Sequence, residues 1–98
     1  MVIKFKDVEP RKDGVISYPI KDHQNLLKHI AYRTVTPDNP FGPHAHDGDE
    51  IWYIIKGRAT VNIDGKITDV EDKDMIICPS KVSHGMTSSE EVIWLCIG

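Results

Sequence analysis

Short β-prone runs alternate with glycine, proline and Asp/Asn-rich breaks at intervals of about 8–12 residues, a rhythm that suits strands and leaves little room for helices. The runs fall at residues 2–6, 15–19, 29–36, 51–56, 59–63, 67–70, 75–78, 85–88 and 92–97. Strands this short cannot satisfy their own backbone N–H and C=O groups, so they must pair with one another, and a series of them predicts a sandwich or barrel. No repeat and no linker divides the sequence. With 98 residues, 40% of them apolar and 28% charged, the chain matches one all-β domain over residues 1–98.

The punctuation is specific in places. Asp64-Gly65 lies between two alternating runs and has the composition of a tight hairpin turn, since both residues accept positive φ. Pro37, Pro40 and Pro43, with Gly42 among them, predict a loop over residues 37–43. The one candidate helix is a single turn at residues 22–29, with Asp22 as its cap and Leu26 and Leu27 facing inward.

A net charge of −3 offers no basic field for a phosphate backbone, so no nucleic-acid partner is expected. No apolar run approaches the roughly twenty residues that cross a bilayer, and charges stand where a signal peptide carries its apolar region. The expectation is a cytoplasmic protein without a membrane partner. Cys78 and Cys96 are too few and too far apart for a disulfide framework, and they read as half-buried free thiols.

Residues 43–57, PHAHDGDEIWYIIKG, carry the chemistry. His44 and His46 are two apart, so in extended chain both imidazoles project from one face, and Glu50 has the same parity. Gly48 lets the backbone bend between them. His84 lies far along the chain beside Pro79, at another strand-edge turn, and a closed barrel would bring it across. Three imidazoles and a carboxylate suit one divalent transition metal (iron, manganese, nickel, copper or zinc), whereas calcium would want more oxygen donors. His23 and His29 read as ordinary surface or hydrogen-bonded histidines.

This segment resembles the first motif of the cupin superfamily: histidine, any residue, histidine, a short gap, glutamate, six residues, glycine. His44, His46, Glu50 and Gly57 match it, and Pro79 with His84 keeps the spacing of the second motif. Asp38, Lys73 and Lys81 stand where the family often has glycine, and Ser88 where it has asparagine. The resemblance covers about residues 30–97. It implies a small double-stranded β-helix, or jelly-roll barrel, with the metal near one open end and His44, His46, Glu50 and His84 as its ligands. It also implies a homodimer.

The runs at 51–55 and 92–97 are apolar on both alternating faces, so something must cover their outside. A partner subunit is one cover and the N-terminal strand the other. By parity with Glu50, Trp52 and Ile54 face inward, and Ile76 and Cys78 join them, either as the wall of a small-molecule pocket or as plain barrel core. No arginine or lysine falls clearly on that inward face. Glu50 is the one evident inward acid–base group, and so the candidate catalytic residue. Three functions fit: a metal-dependent enzyme acting on a small organic molecule, as a dioxygenase or a non-redox isomerase or lyase; a non-catalytic module that binds a small molecule; and a barrel whose metal only tightens the fold.

Overall fold

A computed structural model describes residues 3–20 and 27–98. Among the described residues nine antiparallel strands form two sheets: β1 (Ile16–Ser17), β2 (Ile30–Val35), β3 (Phe41–His44), β4 (Glu50–Lys56), β5 (Ala59–Ile63), β6 (Lys66–Val70), β7 (Met75–Cys78), β8 (His84–Thr87) and β9 (Val92–Ile97). One sheet runs β1-β2-β9-β4-β7 and the other β3-β8-β5-β6. The chain crosses repeatedly between them, as in a jelly roll.

Alternation along the strands decides what lies between the sheets. On β4 the buried residues are Glu50, Trp52 and Ile54, and on β9 they are Val92, Trp94 and Cys96. The register sets Trp52 beside Cys96 and Ile54 beside Trp94. The two indoles, both fully buried with ring centroids 5.0 Å apart, anchor the core. Burying an indole removes on the order of 200 Å² from water, a stabilisation of roughly 5 kcal/mol at about 25 cal/mol per Å².

The expected strands at 59–63, 75–78 and 92–97 are found with those bounds, and the Asp64-Gly65 turn has positive φ at both residues, 53° and 85°. Two expectations fail. In the run at 2–6, the described part is not a strand: Phe5–Asp7 is a 3₁₀ turn whose Phe5 ring rests 4.8 Å from Tyr32. The loop at 37–43 gives way at its end to β3, where Phe41 pairs with Met86 and His44 with His84. Proline is tolerated there because β3 is an edge strand and its register is irregular between the two pairs. Most of the helix expected at 22–29 lies outside the described residues, and residues 27–29 are not helical. Among the described residues no helix is long and apolar enough to cross a membrane.

Candidate metal centre

Two turns brace the histidines. Residues 79–82 close with Val82 N–H donating to Pro79 O at 3.2 Å, and Lys81 takes a left-handed φ of 68°. That conformation turns the Lys81 N–H onto the carbonyl of His46 at 2.7 Å, while Gly48 N–H donates to Ser80 Oγ and Ser80 N–H to Asp49 Oδ1. The segment carrying His46 is thereby tied to the segment leading into His84. Across β3 and β8, His44 and His84 are direct register partners.

The rings of His44 and His84 are 4.6 Å apart, those of His46 and His84 4.9 Å, and a ligand nitrogen from each of the three lies within 4.8 Å of the others. Glu50 stands against two of the three: its Oε2 is 3.2 Å from His46 Nε2 and its Oε1 3.7 Å from His84 Nε2. Trp52 Nε1–H donates to Glu50 Oε1 at 3.0 Å and fixes the carboxylate plane.

The imidazoles are oriented for coordination. His84 Nδ1 faces Val82 O at 3.0 Å, and since a carbonyl only accepts, Nδ1 carries the proton and Nε2 the lone pair. His46 Nδ1 stands the same way to Asp47 O, also at 3.0 Å. His84 Nε2 is fully buried and has no hydrogen-bond partner, a costly condition that a cation would relieve. Burial raises the Glu50 pKa, but the Trp52 N–H, the His46 imidazole and the other polar neighbours outweigh it and hold the carboxyl below its ordinary value. Burial, then the neighbouring His84 and His46, push His44 down. At neutral pH the set thus presents a carboxylate and an uncharged His44, which a divalent transition ion requires of its donors.

Trp52, Ile54, Ile76 and Cys78 are buried in the core. A hollow of about 270 Å³ beside the centre is walled instead by His29, His46, Glu50, Gly98 and the 47–49 turn. A larger groove of about 490 Å³, lined by residues such as Arg58, Asp69 and Glu71, shares no residue with the histidine cluster. Burial pushes the thiols of Cys78 and Cys96 up to about 12.

Two residues near the centre escaped sequence reasoning. His29 Nε2 lies 3.6 Å from Glu50 Oε2 and 3.5 Å from Cys96 Sγ. Arg33, contrary to the expectation of no inward cation, shares the parity of Ala31 and Val35 on β2, with its guanidinium 4.6 Å over the Phe41 ring and 5.6 Å from that of Trp94. Both have the inward parity of β2. The pairing of β2 with β9 makes that parity count, and nothing local in the sequence announces it.

The Cupin domain family model matches residues 31–98. An uncharacterised protein of Methanocaldococcus jannaschii is 27% identical over 96 residues, covering 85% of this chain and 77% of that one. A predicted oxalate decarboxylase of Thermotoga maritima superposes with a TM-score of 0.82 at 22% identity, covering 99% of this chain and 96% of the other. Salicylate 1,2-dioxygenase of Pseudoaminobacter salicylatoxidans, in complex with gentisate, superposes with a TM-score of 0.74 at 15% identity, over 86% of this chain but 24% of that enzyme. The structural likenesses, all at low identity, show the fold. With a family model covering more than two thirds of its length and a matching jelly roll, the chain belongs to the cupin family.

Proposed function

We propose that this chain is a metal-dependent enzyme acting on a small chelating molecule, with His44, His46, Glu50 and His84 holding one divalent transition ion. The reading rests above all on the bare Nε2 of His84, buried without a partner and facing Glu50 Oε1 at 3.7 Å. When bound, such an ion supplies Lewis acidity toward a carbonyl, enolate or carboxylate, or one-electron chemistry if it is redox-active. The chain's own residues set the frame. Glu50 contributes the negative charge, Trp52 holds its plane, and the Val82 and Asp47 carbonyls keep His84 and His46 in the coordinating tautomer. Substrate would approach through the hollow beside His29 and Glu50. The names of the structural neighbours, a predicted oxalate decarboxylase and a salicylate 1,2-dioxygenase, make a small carboxylate or phenol the class to try first.

Elemental analysis of protein purified without added metal tests the reading: at least about one equivalent of iron, manganese, nickel, copper or zinc per chain is expected, and a metal-free but folded and unreconstitutable protein would end it. Oxygen uptake with a panel of catechols, thiols and diketones then separates oxygenase from isomerase or lyase. A second reading, a module that binds without turnover, is favoured by the engagement of Glu50, whose Oε1 accepts from Trp52 Nε1–H and whose Oε2 faces His46 and His29, which leaves no free carboxylate there to move a proton. It predicts a ligand that raises Tm and is recovered unchanged.

A further inference from the structure

Next to the three-histidine group stands a second cluster with a different chemical character. His29 Nε2, Cys96 Sγ and a Glu50 carboxylate oxygen all lie within 4.8 Å of one another. Nitrogen, sulfur and oxygen donors within such a span are what a soft or borderline ion takes, and sulfur is the donor missing from the first group. Glu50 belongs to this cluster and borders the other: Oε1 faces His84, while Oε2 faces His46 and His29.

The arrangement is held by backbone rather than by chance rotamers. Lys28 N–H and His29 N–H both donate to Gly98 O, at 2.6 and 2.7 Å, and Gly98 N–H donates back to His29 O at 2.9 Å. That clamp extends the β2–β9 ladder beyond Ile30 and Ile97 and seats His29 beside Cys96 despite their distance in sequence. Gly98 has no side chain where one would intrude: a Cβ there would come within 2.9 Å of His29 Cε1 and 3.3 Å of Glu50 Cγ. His29 and Glu50 also form part of the wall of the hollow, so an ion reaches the cluster from solvent through them.

We infer that His29, Cys96 and Glu50 form a second metal position, selective for a thiophilic ion such as Zn²⁺ or Cu⁺ and joined to the histidine centre through the shared Glu50 carboxylate. The inference rests on the proposed metal centre only through that shared residue. Binding replaces the Cys96 S–H bond with a metal–sulfur bond and releases the proton to solvent, and no oxidation state changes. The histidine centre and the sulfur position then differ in softness, so the chain would sort ions by type.

Anaerobic titration of the chelator-stripped chain with Co²⁺ tests this, because thiolate-to-cobalt charge transfer gives an absorption band that imidazole and carboxylate do not. The expected result is two equivalents per chain, with the band rising alongside one of them. Cys96→Ser should take one equivalent and show no band, and His29→Ala should weaken that equivalent about tenfold or more. His84→Ala should lose the other equivalent and keep the band. Zinc-loaded wild type should show a sulfur neighbour at about 2.3 Å by X-ray absorption, a readout that stands even if Cys96→Ser does not fold. One equivalent without a sulfur signal, or a band that survives Cys96→Ser, overturns the inference. A sulfur-bearing equivalent lost in Cys96→Ser, in a chain whose metal content ignores His84→Ala, would uphold it and sink the histidine centre instead.

Discussion

At the scale of single residues, the proposed centre ties metal affinity to protonation. His44 titrates below its unfolded value near 6.5, so the unfolded chain takes up a proton at His44 before the folded one does. Stability from this group is complete above the unfolded pKa and is lost as pH falls through the folded one. Glu50, also lowered, follows the same sign further down: its contribution is present above about 4.5 and disappears as the folded carboxyl protonates. The metal-free protein should therefore lose Tm in two stages on acidification, the upper one absent in His44→Ala and the lower one absent in Glu50→Gln. Thermal melts across pH 7.5 to 3.5 at fixed ionic strength check this, and a flat profile would show that neither shift exists. Loss of either His84 or His46 to alanine should cut metal affinity by about 10–100-fold, measured by competition with a chelator. All four of these positions were legible as candidate ligands, because spacing of two along a strand and a family motif need no knowledge of the sheet. His29 and Arg33 were not, since their relevance depends on β2 lying against β9, a non-local pairing.

At the scale of elements, the turns explain departures that the sequence only displayed. Lys73 and Lys81, two of the positions where the family resemblance leads one to expect glycine, both adopt left-handed φ, 72° and 68°. A non-glycine residue in that region carries a cost of roughly 1–2 kcal/mol, while glycine loses about 0.5–1 kcal/mol in chain entropy. Lys81→Gly should thus stabilise the fold by about 0.5–1 kcal/mol in urea denaturation; its ion pair with Asp47, at 4.0 Å on an exposed surface, offers little to lose. Gly57 is the opposite case. Its φ is 109°, and a Cβ would stand 2.8 Å from the Glu91 carbonyl oxygen, which is backbone and cannot swing away. Gly57→Ala should cost about 2–4 kcal/mol, lowering the urea midpoint with an unchanged slope. A neutral Gly57→Ala would mean that the β4–β5 connection is looser than its contacts require. Strand positions could be read from alternation, but β3 could not, since Pro43 within it and Pro40 just before it mimic a loop, and only its place at a sheet edge makes Pro43 compatible with pairing.

At the scale of the whole molecule, one sheet has an outer surface that water does not suit. Ile51, Tyr53 and Ile55 of β4 and Met75 and Ile77 of β7 point away from the core, the last two each 59% exposed. Their neighbours Ile93, Leu95 and Ile97 on β9 are half-buried with the same outward parity. The N-terminal segment was one candidate cover, yet its Phe5 rests on Tyr32 of β2, and the β4 and β7 positions remain open. Among the described residues β7 is also the last strand of its sheet, with an unpaired edge. Contiguous apolar surface beside a free edge is what a protein covers with a partner or suffers as aggregation. A second copy of this chain is the proposed cover, because a two-fold pairing buries the same patch twice and closes on itself. Sedimentation of the wild type should then give twice 11.1 kDa, whereas Ile77→Lys, placing a charge in the middle of the patch without touching the core, should sediment as a folded monomer. Metal content separates the two roles of this sheet: its inner face holds Glu50 and its outer face Ile77, on strands in direct register at Glu50–Cys78 and Ile51–Ile77. If the outer face serves assembly alone, the monomeric variant keeps its metal. If it sheds metal along with its partner, the pairing of β4 with β7 is being shaped by the second copy, and the ligand geometry is a property of the assembly rather than of the single chain.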